Sequence, residues 1–198
     1  MLTKSEKSKF FILEKSAILF NQKGFSGTSL SDIVLATGMT KGAIYGHFAS
    51  KDILAAEAFE YAHEKIIREL SVCIQTNKSP IDRLIAIIDF YKDYTLKPVI
   101  DGGCPILNLG PESDENLPFL KIKIKKAIQN MLFSLEKILE SGIKKGEFKP
   151  DININEEALF IYAQIEGAIL LAKILDNPEI LNNTLLRLKN QIVNIYKK

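Results

Sequence analysis

The strongest constraint on the fold is the segment Thr28–Lys51, which reads TSLSDIVLATGMTKGAIYGHFASK and carries the signals of two short helices joined by a tight turn. Ser29 can cap the first helix, and Asp32 completes a capping box three residues later. Gly38 permits the sharp turn that ends this helix, because glycine adopts a left-handed backbone without strain. Thr40 can then cap a second helix. The segment therefore predicts a helix-turn-helix.

The second helix of this motif is predicted to run from about residue 41 to residue 47. At about 1.5 Å per residue it is about 10 Å long, which is close to the width of the major groove of B-DNA. The side chains expected to face the core are those of Ile33, Ala36, Ala43, Ile44 and Phe48. The side chains expected to face outward are those of Thr40, Lys41, Tyr45 and His47, with Lys51 just beyond the helix. Cations, hydroxyl groups and an aromatic ring suit contacts with phosphates and base edges.

Residues 12–51 resemble the DNA-binding domain of the tetracycline-repressor (TetR) family of bacterial transcription regulators. The motifs that carry the resemblance are Phe20, Gly24-Phe25, Thr28-Ser29, Asp32-Ile33, Ala36, Gly38, Lys41-Gly42, Tyr45, His47-Phe48 and Lys51. The resemblance implies DNA contacts at Thr40, Lys41, Gly42, Tyr45, His47 and Lys51, with Ser29 or Leu30 near the DNA backbone. Gly46 departs from the family, many of whose members carry a larger side chain there. One base contact is therefore expected to be missing or replaced by a backbone approach.

The distribution of charge separates the amino-terminal quarter from the rest of the chain. The first 51 of the 198 residues hold seven lysines against Glu6, Glu14 and Asp32, a net charge of +4, whereas the whole chain carries only +2. A basic region of this kind attracts the phosphate backbone of nucleic acid. A lysine-rich face that merely contacts solvent is the alternative, and charge alone does not decide between the two.

The composition argues against several other classes of protein. The chain has only two histidines, and its two cysteines, Cys73 and Cys104, do not form a CxxC pair, so these residues cannot by themselves make a four-ligand zinc site in one protomer, and no metal and no cofactor are expected. The sequence has no phosphate-binding glycine loop, no nucleophile elbow and no His-carboxylate pair at a useful spacing, and we therefore expect no enzymatic activity. No apolar run approaches the roughly 18 residues of a membrane helix, and no signal peptide is recognisable, which predicts a cytoplasmic protein.

Hydrophobic periodicity and cap signals predict an all-α fold of about nine helices. The predicted helices span residues 5–23, the two helices of the motif, a long helix capped by Ser50 that reaches about Thr76, residues 80–97, a short helix near 105–109 inside an irregular loop 98–118, residues 117–146, a helix capped by Asn155, and a last helix opened by Pro178. Residues 1–51 are predicted to form a three-helix DNA-binding domain. Residues 52–198 are predicted to form a helical domain for effector binding and dimerisation.

The last predicted helix carries a heptad seam, which indicates that it packs along a partner helix. The seam consists of Leu181, Leu185, Leu188, Ile192 and Ile195. The preceding helix is apolar on nearly all sides between Ala158 and Leu175, so it needs contacts beyond its own domain. A two-fold symmetric four-helix bundle made by the last two helices of two protomers satisfies both requirements, and the TetR resemblance implies the same interface. The alternative is that both helices belong to the core of a monomer.

Two rigidly linked helix-turn-helix heads would read a palindromic operator. The resemblance implies a repressor that a small molecule releases from DNA. Candidate residues for an effector cavity, each of which can equally be a core residue, are Phe90, Tyr91, Tyr94, Asn108, Met131, Leu135, Tyr162 and Glu166. Cys104, within GGCP, is a candidate redox or electrophile sensor. The competing hypothesis is a scaffold or small-molecule-binding protein that uses the helix-turn-helix for protein contacts.

Overall fold

A computed structural model describes residues 3–196, apart from the side chains of residues 115, 116, 195 and 196. Over that range the secondary structure is helical and contains no β-strand, in agreement with the predicted fold class. Within residues 3–196, nine α-helices and one short π-helix follow one another as α1 Lys4–Lys23, α2 Leu30–Thr37, α3 Lys41–Tyr45, α4 Lys51–Gln75, α5 Pro80–Phe90, α6 Pro105–Asn116, α7 Pro118–Lys144, α8 Ile154–Ile174, α9 Pro178–Gln191 and the π-helix Ile192–Tyr196. No helix in this part of the chain combines the length and the apolar character that crossing a membrane requires.

The predicted caps of the helix-turn-helix are present. Ser29 accepts a hydrogen bond from the Asp32 N–H at 3.1 Å, and the Asp32 carboxylate accepts one from the Ser29 N–H at 2.8 Å. Gly38 ends α2 with a φ of 65°, the left-handed conformation expected there. The Thr40 hydroxyl accepts a hydrogen bond from the Ala43 N–H at 3.2 Å and begins α3. Signals within a few residues of one another therefore determine both helices.

The end of α3 differs from the prediction, whereas the start of α4 agrees with it. Gly46 is the C-cap of α3, so this helix ends at Tyr45 rather than at His47. The Ser50 hydroxyl accepts a hydrogen bond from the Ile53 N–H at 3.2 Å at the start of α4, as predicted. α3 is thus a helix of little more than one turn, and its position depends on packing rather than on its own stability.

α5 ends at Phe90, and the prediction that it reaches residue 97 is wrong. Asp93 has a φ of 58°, which no right-handed helix contains. The Asp93 N–H donates to the side-chain oxygen of Asn182 at 3.2 Å, and the Asn182 amide donates to the Asp93 carboxylate at 3.0 Å. This partner lies 89 residues away, so the break cannot be read from the local sequence.

α6 is a helix of 12 residues in a region where the sequence predicts mostly irregular loop. Pro105 occupies the first turn, where no N–H is needed, but Pro111 lies inside the helix. The expectation of a loop depends on this second proline acting as a helix breaker. α6 persists because its side chains hydrogen-bond to α1 and to the turn that follows α1, as described below.

The cap of α8 is Asn153, not Asn155 as predicted. The Asn153 side chain accepts from the Glu156 N–H at 3.5 Å. Asn153 and Glu156 have the spacing of a capping box, whereas Asn155 is followed three residues later by Ala158. The spacing to the acidic residue was therefore the better signal.

Contacts between residues divide the chain into two compact units. The first contains the chain up to Ile66 together with Val99–Lys126, and the second contains Ile67–Pro98 together with the chain from Ala127 onward. α6 thus belongs to the same unit as the helix-turn-helix. The predicted boundary between residues 51 and 52 separates a DNA-contacting role from an effector-binding role, and it stays a prediction.

The core of the helix-turn-helix is formed by one face of each short helix. α2 buries Ile33 and Thr37, which lie four residues apart, and Ile44 and Phe48 are buried behind α3. The predicted inward positions of Ala36 and Ala43 are wrong, because both side chains are exposed. These are small residues, and α2 and α3 need only one large anchor per turn.

The heptad seam of α9 lies inside the second unit. Leu181, Leu185, Leu188 and Ile192 are between 0% and 4% exposed, and α9 packs against α8 and α5. The side chain of Ile195 lies outside the described residues. The seam therefore joins helices within one protomer, and it does not supply the free surface that a partner protomer needs.

Candidate nucleic-acid interface

The outward face of α3 carries four of the predicted DNA contacts. Thr40, Lys41 and Gly42 are exposed, and the Tyr45 ring is 42% exposed. Ile44, in contrast, is 1% exposed and anchors the helix to the core. The four residues therefore share one solvent-facing surface, which we call the α3 face.

The α3 face is ordered by a contact between its cation and its aromatic ring. The Lys41 ammonium lies 5.9 Å from the centre of the Tyr45 ring, one helical turn away. Gly42 lies between them in sequence, and no atom lies within 4 Å of where its Cβ would be. The face is consequently open at its centre, which allows a nucleic-acid backbone to approach closely.

Gly46 and His47 lie at the end of this face. Gly46 has an ordinary φ of −67°, and a Cβ there would lie 3.4 Å from the carbonyl oxygens of Gly42 and Ala43. The fold therefore does not require glycine at this position. His47 is half-buried, with its ring 6.3 Å from that of the buried Phe48. His47 thus presents only part of its imidazole to solvent.

Two other predicted DNA contacts are engaged elsewhere in the head. The Lys51 ammonium lies 4.1 Å from the centre of the Phe25 ring. The Ser29 hydroxyl donates to the Asp32 carboxylate at 2.5 Å while it caps α2. Both residues must change partners to contact a phosphate.

The charge of Asp32 is compensated within the head. Lys23 donates to its carboxylate at 2.7 Å, and this hydrogen bond, followed by those from Ser29, holds the pKa of Asp32 well below its usual range. The carboxylate therefore remains ionised and paired. Repulsion between Asp32 and a phosphate backbone is correspondingly reduced.

α6 contributes to the first unit through a contact that no sequence signal predicts. The Glu112 carboxylate accepts hydrogen bonds from the backbone N–H of Phe25 at 2.6 Å and of Ser26 at 2.7 Å. Burial alone would raise the pKa of Glu112, but these hydrogen bonds and the charge of Lys51 outweigh it, so the pKa is lowered. The partners are 86 and 87 residues apart, and no local pattern marks them.

The candidate effector residues divide between the two units. Phe90, Tyr91 and Tyr94 contact one another in the second unit, with ring centres 5.1 to 6.3 Å apart. Asn108 belongs to the first unit, where its side chain donates to Asn21 and to the Gly102 carbonyl at 2.8 Å each. Of the remaining candidates in the second unit, Met131, Leu135 and Tyr162 are buried and Glu166 is half-buried.

Cys73 and Cys104 do not form a disulfide and lie in different surroundings. Cys104 is 7% exposed at the start of α6, and Cys73 is half-buried in a groove that Phe90 also lines. The sensor role of Cys104 stays a prediction. Within the residues that the structure describes, no three His, Cys, Asp or Glu side chains are grouped as a metal ion would require.

Models of two protein families match the chain. One is described as "Bacterial regulatory proteins, tetR family" and matches residues 12–58, which contain the helix-turn-helix. The other is described as "Tetracyclin repressor-like, C-terminal domain" and matches residues 80–186, more than half of the chain. The likeness therefore extends well beyond the region that carries the sequence resemblance.

Individual relatives agree with these matches. The chain is 27% identical over 180 residues to the HTH-type transcriptional repressor DhaR of Mycobacterium sp. (strain GP1), which covers 88% of this chain and 86% of that protein. A TetR transcriptional regulator from Chloroflexus aurantiacus J-10-FL has a crystal structure that superposes with a TM-score of 0.95 at 36% identity, over 99% of both chains. A TetR-family regulator from Cytophaga hutchinsonii superposes with a TM-score of 0.91 at 33% identity, over 100% of this chain and 99% of the other.

Proposed function

This chain belongs to the TetR family of bacterial DNA-binding transcription regulators, and from that premise we propose that it represses transcription as a homodimer on a palindromic operator and leaves DNA when a small molecule binds. The observation that carries the proposal is the α3 face, where a cation, a hydroxyl and a tyrosine surround an open glycine. Among the relatives, DhaR is itself named a transcriptional repressor.

We assign the base and phosphate contacts to the α3 face and its margins. Thr40, Lys41, Gly42 and Tyr45 form the centre of the proposed contact, because their exposure and chemistry suit it. The margins are the half-buried His47, together with Lys51 and Ser29. Lys51 is half-buried, and a cation–π contact contributes about 0.5–2 kcal/mol, so its exchange for a contact with a phosphate is feasible.

A homodimer is proposed because a single short helix reads too few base pairs to bind tightly. Apolar side chains that remain exposed on α8 and α9 support it. They are Leu159, Phe160, Leu170, Leu171 and Ile174 on α8, Leu175 at its C-cap and Leu186 on α9, each between 36% and 69% exposed. A groove between α8 and α9 is lined in part by Phe160, Gln164 and Arg187, and side chains of a second copy of the chain can pack into it. These residues replace the heptad seam as the proposed interface.

The proposed effector has an aromatic or otherwise apolar body. The contacting rings of Phe90, Tyr91 and Tyr94 support this chemistry, because aromatic side chains supply most of the contact area in small-molecule sites. Met131, Leu135, Tyr162 and Glu166 of the same unit remain candidates, whereas Asn108 does not, since its amide is bound within the head. α4 runs from the first unit into the second and is the proposed route by which an effector changes head spacing.

The test is replacement of the cation and the aromatic ring of the α3 face in one variant. Lys41→Ala combined with Tyr45→Ala is expected to lower affinity for an operator fragment, selected from the source genome, by at least about 100-fold. Fluorescence anisotropy measures the affinity, and sedimentation measures whether the oligomeric state is unchanged. Lys149→Ala removes an exposed lysine of the second unit and is the matched control for charge, with wild-type affinity expected.

Retained operator affinity in the double variant would refute the assignment of α3. The salt dependence of wild-type binding separates the proposal from its competitor. A steep decrease in log K with log salt concentration is expected for a head that releases counterions from DNA. A nearly flat dependence would favour a head that binds protein instead.

A further inference from the structure

α6 holds the end of α1 through a buried side-chain amide. Asn21 is 2% exposed, and its amide donates to the carbonyl oxygens of Asp101 at 3.0 Å and Gly103 at 2.9 Å. Its side-chain oxygen accepts from the Asn108 amide at 2.8 Å. Asn108 also donates to the Gly102 carbonyl at 2.8 Å. Three consecutive carbonyl groups before α6 are therefore satisfied by two asparagines, in an arrangement that we call the amide clasp.

The backbone before α6 is shaped to fit this clasp. Gly102 has a φ of 101°, which side-chain-bearing residues rarely adopt. A Cβ at Gly102 would also lie 2.9 Å from the backbone oxygen of Asn21, closer than real contacts. This segment can therefore lie so close to α1 only with a glycine at position 102. The distance between the segment and α1 is correspondingly well defined.

α6 makes a second grip four residues further along the same helix face. Residues four apart in a helix lie above one another, so Asn108 and Glu112 face the same way. The Glu112 carboxylate accepts from the N–H groups of Phe25 and Ser26, one on each oxygen. These N–H groups belong to the turn that connects α1 to α2. We call this contact the carboxylate clamp.

The carboxylate clamp connects α6 directly to the helix-turn-helix. The turn that it holds lies immediately before Thr28 and the capping box that starts α2. Hydrogen bonds to a charged acceptor are stronger and more directional than apolar contacts. If α6 moves, these hydrogen bonds therefore move the turn before α2 with it, and α3 follows.

We propose that Asn21, Asn108 and Glu112 are positioning residues that set the orientation of the DNA-reading helix by fastening it to α6. The inference rests on the proposed reading of DNA by α3, and it adds a requirement that lies outside the DNA-contacting surface. α6 then belongs to the functional DNA-binding unit.

Glu112→Gln is the sharpest test, because it keeps the shape of the side chain while it removes the charge and one acceptor oxygen. The variant is expected to remain folded with an unchanged oligomeric state and to bind the operator about 10-fold more weakly, as the loss of a charged hydrogen bond predicts. Hydrogen exchange at the Phe25 and Ser26 amides is expected to accelerate, while exchange in α8 stays as in the wild type. Glu140→Gln is the matched control, since Glu140 pairs with Lys137 and Lys144 on the surface of the second unit.

The outcomes separate this inference from the proposed function. Faster exchange at Phe25 and Ser26 with wild-type operator affinity would overturn the positioning role, even if the Lys41 and Tyr45 double variant loses binding. Unchanged exchange at both amides would overturn the clamp itself. If Glu112→Gln does not fold, Asn108→Ala leaves the clamp intact and opens the clasp. Wild-type operator affinity in folded Asn108→Ala would then overturn the proposal.

Discussion

The two units differ in the contacts that join their distant segments, although both contain long-range hydrogen bonds, such as those between Asp93 and Asn182 in the second unit. In the first unit, segments more than 80 residues apart are joined by directional hydrogen bonds that Asn21 donates and Glu112 accepts. In the second unit, α9 lies against α8 and α5 through a buried apolar seam. Polar contacts specify one arrangement and lose strength when geometry changes, whereas apolar contacts stabilise through area and tolerate small shifts. The unit that carries the proposed DNA-reading helix thus uses directional contacts at the place where the second unit uses an apolar seam.

The exposed surfaces of the two units differ in the same sense. α3 presents a lysine, a threonine and a tyrosine, whereas α8 presents leucine, isoleucine and phenylalanine side chains. A polyanion suits the first surface, and a second copy of an apolar helix suits the other. The following predictions test whether this division holds.

The largest effect is expected from charges on the apolar surface of α8. Leu171→Glu combined with Ile174→Glu places two carboxylates on side chains that are 53% and 69% exposed. Burying unpaired charges costs several kcal/mol, so the dissociation constant of the dimer is expected to rise at least about 1,000-fold. Sedimentation measures the change. The control is Leu96→Glu, because Leu96 is 62% exposed and lies outside the proposed interface. If the variant with both Leu171→Glu and Ile174→Glu stayed dimeric, the interface would lie elsewhere.

A smaller effect is expected from crowding the core of the second unit. A Cβ added at Gly142 would lie 2.0 Å from a ring carbon of the buried Phe148. Gly142→Ala is expected to lower the free energy of unfolding by about 1–3 kcal/mol, as overpacked cores do. Urea denaturation measures it. Gly110→Ala, on α6 with no atom within 4 Å of its Cβ, is expected to be neutral or slightly stabilising, and equal losses in both variants would contradict the reason given.

The two helix caps offer a matched comparison between the units. Ser29→Ala and Asn153→Ala each remove a side-chain acceptor at a helix start and are expected to cost about 1 kcal/mol of stability. Only Ser29→Ala is expected also to weaken operator binding, because Ser29 caps the helix that supports α3 and is itself a proposed contact at the margin of the α3 face. Anisotropy and urea denaturation on both variants provide the measurements. If Asn153→Ala weakened operator binding equally, operator binding would not depend on the cap of α2 in particular.

The smallest effect concerns pH. The pKa of Glu112 is lowered from its ordinary value of 4.5, so its ionised form is favoured in the folded protein. Its contribution to stability is therefore present above pH 4.5 and is lost as the pH falls through the lowered pKa. The difference in unfolding free energy between wild type and Glu112→Gln is expected to shrink on acidification, as urea denaturation across this range would measure. A constant difference would mean that the charge of Glu112 contributes nothing.

The sequence allowed the helix-turn-helix to be predicted because its determinants are local. Ser29 and Asp32 are three residues apart, Gly38 follows directly after the helix that they start, and Thr40 begins the next helix. Each signal acts through the backbone of its own neighbours. The family resemblance in the same region rests on these residues, and both family matches agree with it.

Two features that sequence analysis missed depend on partners far along the chain. The end of α5 depends on Asn182, and α6 persists despite Pro111 because Asn108 and Glu112 anchor it. The heptad seam of α9 was recognised, but its spacing does not reveal whether the partner helix lies in the same protomer or in another. Periodicity defines which face is apolar, and it carries no information about what covers that face.

Pro111 lies between the two grips of α6. Proline has no N–H to donate to the carbonyl of Leu107, and its ring crowds that carbonyl, so the turn between Asn108 and Glu112 lacks one helical hydrogen bond. A bend at this turn would tilt the Glu112 end while the Asn108 end stays seated. A change in the orientation of the helix-turn-helix would therefore not require the hydrogen bond between Asn21 and Asn108 to break.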